Sequence, residues 1–140
     1  MERTIQQHGA LVLRLALGTM FIAHALLKYY VYTLPGTAQF FQSLGLPGAL
    51  AYFTFLAELI GGALILAGFF GRWASAALVP LLLGATWAHA GNGWVFTAPN
   101  GGWEYPAFLA AAAAVQTLLG DGKYSLATLF PVRKPQGEFA

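Results

Sequence analysis

Arg14, His24, Lys28, Glu58, His89 and Glu104 lie within or at the ends of long apolar runs, where an ionisable side chain is costly to keep. Two carboxylates and two imidazoles can pass protons, and two fixed cations can hold the carboxylates in place and tune them. These are the residue types of proton-coupled chemistry. Glu58 poses the problem most sharply, because "AYFTFLAELIGGALILAGFF" (51–70) otherwise reads as an uninterrupted membrane span. A carboxylate there needs partners of opposite sign.

The elements that must supply them follow from the apolar pattern. The chain has 140 residues, 58% of them hydrophobic and 9% charged, where a soluble domain has roughly 25% charged residues. A single domain of this size cannot bury so much apolar surface on itself, so lipid must cover part of it. Four runs, about 9–32, 49–70, 72–91 and 103–120, each have roughly the 17–25 residues that cross the hydrocarbon layer. Gly/Pro-rich stretches separate them: "LPGTAQFFQSLGLPG" (34–48), which can form one short interfacial helical turn, "GFFGRW", and "GNGWVFTAPNGG". The expected fold is an all-α transmembrane four-helix bundle over 1–130, followed by a short flexible tail, 131–140. Arg14 and Lys28 interrupt the first run and it lacks a small-residue cleavage site, so it reads as a retained span and not a cleaved leader.

Arg3, Arg72, Lys123, Arg133 and Lys134 all fall on one side of the four-span arrangement, which puts both termini in the cytoplasm. Tyr29, Tyr30, Tyr32, Trp87, Trp94, Trp103 and Tyr105 crowd the other side as an aromatic belt. Gly18, Gly61, Gly62 and the alanine run 110–114 mark close helix contacts. The formal charge of +2 is too small to suggest nucleic acid, and the absence of cysteine excludes a disulfide scaffold, a thiolate metal site and a dithiol redox centre.

Depth brings the polar residues together. Counting about 1.5 Å per residue, Glu58 lies about 18 Å from the basic side, His24 about 22 Å, Glu104 about 24 Å, His89 about 25 Å and Lys28 about 28 Å. Four helices thus place ionisable groups in a slab about 10 Å deep. Arg14 starts at about 9 Å, with a side chain long enough to climb toward Glu58. On the first helix Arg14, His24 and Lys28 share an arc of about 80°.

Two functions fit this cluster: a network that selects one bundle packing, or a polar pocket open to the outer face. Only the pocket requires a cavity. His24 and His89 could clamp a haem iron or join the glutamates around a metal, but no Glu-x-x-His pair supports either, and neutral histidines donating to a carboxylate or a bound oxygen fit the spacing better. His8 reads as an ordinary interfacial residue. Trp94, Phe96 and Trp103 serve either as interfacial anchors or as the lid of a pocket floored by His89 and Glu104, a shape suited to a planar ligand such as a quinone.

At these residues the chain resembles the DoxX family of small four-helix membrane proteins. The matching pieces are "RLALGTMFIAHALLK" (14–28), "GLPGALAYFTFLAELIGGALILAGFFGRWA" (45–74), "HAGNGW" (89–94), "GGWEYP" (101–106) and "GDGKYSL" (120–126). The chain departs at "GKYSLAT", where many relatives carry an acidic residue in place of Ala127. The resemblance implies a bacterial or archaeal inner-membrane bundle whose functional positions are Arg14, His24, Lys28, Glu58, His89 and Glu104. It also implies a link to oxidoreductases, since relatives include the small subunit of a thiosulfate:quinone oxidoreductase and a membrane partner in a mycobacterial oxidative-stress complex.

The reading is therefore a quinone-linked redox subunit or accessory. Glu58, His89 and Glu104 would carry the chemistry, while Arg14, His24, Lys28, Trp94 and Trp103 bind the ligand. A binder or transporter of a small lipophilic or acidic molecule is the first alternative, and would need a homo-oligomer to line a path. A scaffold docking soluble redox enzymes is the second.

Overall fold

The computed structural model describes residues 1–130, whose regular elements are all helices, with no strand among them. In chain order the helices are α1 (Glu2–Tyr30), α2 (Leu34–Ser43), α3 (Ala49–Ala67), α4 (Gly71–His89), α5 (Glu104–Leu119) and the single turn α6 (Leu126–Leu129). A 3₁₀ turn, Ala90–Asn92, extends α4. The tail expected at 131–140 lies outside the described residues.

α1, α3 and the α4 segment through Asn92 are long and apolar enough to cross a membrane. α5 has 16 residues, about 24 Å of rise against a hydrocarbon layer of about 30 Å. At 29 residues and about 44 Å, α1 exceeds that layer. The stretch expected to give one helical turn forms the ten-residue α2 instead. Thr33 caps it by accepting from the Gly36 N–H at 3.1 Å, and Pro35 stands in the first turn, where its missing N–H costs nothing.

Small residues set the packing. A Cβ on Gly18 would come within 2.9 Å of the Gly62 carbonyl and 2.8 Å of the Leu66 amide, so α1 and α3 lie almost backbone to backbone. Their contacts run Arg14 to Gly68, Gly18 to Gly62 and Lys28 to Glu58, which makes the two helices antiparallel. Gly61 takes the Leu78 side chain of α4 in the same way. Ala110 and Ala113 of the alanine run sit in a core with Phe21, Ile65, Leu78 and Leu109. Leu56, Ile60, Leu83, Phe108 and Leu118 point outward, at least half of each exposed. The apolar surface is on the outside as well as within, as a lipid environment requires.

α3 ends in a left-handed glycine: the amides of Gly68 and Phe69 both return to the Leu64 carbonyl at 3.0 Å. Gly68 is needed twice over, since the Arg14 guanidinium occupies the space a Cβ would take. The two ends of the bundle therefore carry different chemistry. One gathers Arg14, Gly68, Arg72 and Asp121; the other gathers Lys28, Glu58, His24, His89 and the 93–103 loop.

Candidate functional site

Lys28 reaches from the last turn of α1 to Glu58 of α3, with Nζ donating to Oε2 at 2.5 Å. The side chains are 18% and 7% exposed, so the pair is largely removed from solvent. This answers the question Glu58 raises: its charge is met by one cation across the α1–α3 contact. It is the only ion pair among the described residues.

Arg14 does not join it. The guanidinium turns to the opposite end, where Nη1 donates to the Asp121 carbonyl at 2.8 Å and Nη2 to the Tyr124 carbonyl at 3.1 Å. The helix itself dictates this direction, because Cα–Cβ bonds tilt toward the helix N-terminus and carry a long side chain that way. The same tilt carries Lys28 down toward Glu58. Arg14 therefore clasps the "GDGKYSL" segment against the bundle, where Ala127 N–H also donates to the Gly68 carbonyl at 3.0 Å.

His24 lies one turn before Lys28 on the same face of α1. Its Nδ1 meets the Met20 carbonyl at 2.7 Å, and its ring stacks on Tyr105 of α5, with centroids 5.4 Å apart and planes inclined at 24°. His89 repeats the arrangement at the end of α4, with Nδ1 at 2.8 Å from the Ala85 carbonyl. Phe40 of α2 packs near its ring, and the Gly101 backbone covers it so closely that a Cβ would come to 3.4 Å from Cδ2. A carbonyl oxygen only accepts, so in both rings Nδ1 carries the proton. Nε2 of the neutral ring is then an acceptor.

Glu104 opens α5, and its carboxylate serves the loop that precedes it, with Oε1 accepting the Phe96 amide at 3.0 Å. Backbone amides of Trp103 and Glu104 return to the carbonyls of Gly93 and Trp94, both at 3.1 Å, and Asn92 Nδ2 holds the Gly101 carbonyl at 2.9 Å. The loop is thus a tied cap carrying an edge-to-face pair, Trp94 and Trp103, with centroids 4.6 Å apart.

Tyr105 escapes the sequence reading, which takes it for a belt residue. Its hydroxyl is buried and has no hydrogen-bond partner among the described residues. Arg14 Nε, Ser75 Oγ, Gln116 Oε1 and Asp121 Oδ1 are likewise buried without a partner among the described residues, and of these five groups Tyr105 is the one whose ring stacks on a histidine. The signal available in the sequence is its position next to Glu104 at a depth close to that of His24.

The structure thus arranges the residues as separate contacts, Lys28 with Glu58, His24 with Tyr105, His89 under Gly101 and Glu104 with Phe96. Among the described residues no side-chain hydrogen bond joins one contact to the next. No group of three His, Cys, Asp or Glu side chains there is placed to hold a metal.

Comparisons with known proteins point to a family. A family model described as DoxX matches residues 9–91, more than half of the chain. The chain is also similar to a protein of Bacillus subtilis (strain 168) described as "Putative oxidoreductase CatD", 40% identical over 77 residues. That match covers 55% of this chain and 56% of the relative, so the chain spans about half the length of the curated relative it matches. No solved structure matches.

Proposed function

Since the chain belongs to the DoxX family, we propose that it is the membrane component of a quinone-linked oxidoreductase, binding the head group of the reduced, hydroxyl-bearing quinol beneath the 93–103 loop. The observation that carries this reading is the His24–Tyr105 stack, which offers a neutral Nε2 acceptor beside a buried, partnerless hydroxyl. A hydroquinone has two hydroxyls to donate, and His89 presents a second Nε2 acceptor at the same end of the bundle. Oxidation of a hydroquinone releases two protons and two electrons. Imidazole Nε2 is suited to take up a proton, and the electrons pass to a redox partner, as the chain has no cysteine to accept them.

The remaining polar residues position this site. Lys28 and Glu58 fix α1 against α3 and so set the height of His24. Glu104 closes the aromatic cap with Trp94 and Trp103 as its rim. In this reading α5 is a fourth crossing of the inner membrane, with thinning of the bilayer offsetting its shorter length. Both termini and the basic residues Arg3, Arg72 and Lys123 face the cytoplasm, and the cap faces the opposite side. The "oxidoreductase" in the relative's name is consistent with this assignment.

Titration of the purified protein with a short-chain hydroquinone under anaerobic conditions tests the proposal. The unmodified protein binds, and Tyr105→Phe binds about tenfold more weakly, as expected for the loss of one hydrogen bond worth about 1–1.5 kcal/mol. Failure of the unmodified protein to bind would end this reading.

A further inference from the structure

The bundle's other end carries a cavity of about 340 Å³ that the quinol site does not use. It lies where the α3–α4 turn meets the end of α5, and Phe69, Phe70, Trp73, Arg72, Asp121 and Ala127 line it. Its size falls within the roughly 300–1,000 Å³ typical of small-molecule sites.

Arg72 is the group that this end leaves unspent. Its guanidinium lies flat against Gly120, where a Cβ would come to 2.9 Å from Nη2. Among the described residues its one hydrogen bond is a 3.4 Å contact to the Leu118 carbonyl, and no carboxylate pairs with it. Asp121 lies close enough to attract it but makes no ion pair or hydrogen bond with it. One carboxylate oxygen of Asp121 is turned onto Gly71 at the start of α4, where a helix terminus favours negative charge. Burial pushes the Asp121 carboxyl above the usual carboxylate range, against the pull of Arg14, the nearby Gly71 amide and Arg72. Among the described residues Arg3, Arg14, Arg72 and Lys123 outnumber Glu2 and Asp121 at this end, so it is electropositive.

We propose that this cavity binds the headgroup of a phosphate-bearing membrane lipid, with the anionic phosphate on Arg72 and the glycerol and upper acyl chain against Phe70 and Trp73. The charge calls for an anion, and the guanidinium fork suits phosphate oxygens. The aromatic walls call for an amphiphile, because a free, hydrated phosphate gains nothing from them. Trp73 is 68% exposed and Phe70 49%, so a chain leaving the cavity continues along apolar surface at the end of a membrane-length helix. Basic pockets at the ends of spans hold lipid headgroups by the same physics.

The test measures thermal unfolding of the delipidated, full-length protein in a neutral detergent. Phosphatidylglycerol raises the melting temperature of the unmodified protein. Diacylglycerol, which has the tails without the phosphate, leaves it unchanged, as does inorganic phosphate at the same concentration. Arg72→Gln raises the half-saturating phosphatidylglycerol concentration about tenfold. Ala127→Leu, which fills the cavity and alters no charge, raises it as well, and lipid-free melting of each variant confirms that it folds. An unchanged lipid response in either variant would overturn the proposal. An equal response to inorganic phosphate would also overturn it, by making the cavity a simple anion site.

Discussion

Glu58→Ala lowers the stability of the protein by about 3–5 kcal/mol, the largest effect expected of any single change. The loss comes less from the missing hydrogen bond than from Lys28, whose side chain is only 18% exposed and is left charged without a counterion. Lys28→Ala strands Glu58 in the same way. The double variant Lys28→Met/Glu58→Met should lie within about 1–2 kcal/mol of the unmodified protein, because replacing both members of a buried pair by apolar groups removes the desolvation cost along with the attraction. Denaturant titration in detergent, followed by circular dichroism, checks all three. A Glu58→Ala variant as stable as the unmodified protein would show that the pair does not hold α1 to α3.

Arg14→Met has the second largest effect, at the opposite end. It removes two charge-assisted hydrogen bonds, to the carbonyls of Asp121 and Tyr124, the longer of them 3.1 Å, which at the lower end of the range for such bonds are together worth about 3 kcal/mol. Arg14 is 2% exposed, so methionine, similar in length but uncharged, keeps most of the buried apolar volume and the loss falls on the polar contacts. The clasped segment then opens locally. Trypsin cleavage after Lys123 should quicken about a hundredfold or more, since cleavage of a locally opened segment follows the population of the open form. Unchanged cleavage would mean that the 121–127 segment is held by its backbone contacts alone.

Much of this arrangement is legible before any coordinates. The apolar runs locate α1, α3 and α4, because lipid-facing and core-facing positions are both apolar and leave long uninterrupted windows. The depth count places Lys28 and His24 above Glu58 in the same region, and the antiparallel register of α1 and α3 turns that into a contact. The small residues singled out for close packing, Gly18, Gly61 and Gly62, are the ones whose missing Cβ atoms let the backbones meet.

The misses have physical causes. Depth gives the height of a Cα but not the direction of a long side chain, so Arg14 is assigned to Glu58 when the tilt of its Cβ sends it toward Asp121. Glu104 shares a depth with the histidines, yet it stands at a helix start, where its carboxylate caps the Phe96 amide of the preceding loop. α2 is underestimated because glycines and prolines dominate its stretch, and the reading takes no account of the Thr33 cap and Pro35 that start it. The sequence also does not show that the Nδ1 of each histidine lies against the carbonyl four residues earlier. Tyr105 is hidden by its type: a tyrosine near a membrane boundary is normally an anchor, and only its partnerless hydroxyl sets it apart.

The protonation pattern of His24 and His89 is the feature on which the proposed function turns, and a paired affinity measurement tests it directly. The purified protein is titrated with one short-chain quinone in its oxidised and in its fully reduced form, at a pH where the imidazoles are neutral. Two Nε2 acceptors facing two hydroxyls predict that the reduced form binds at least about tenfold more tightly. Equal affinity for both forms, or tighter binding of the oxidised form, would contradict the assignment of these nitrogens as acceptors and the site built upon them.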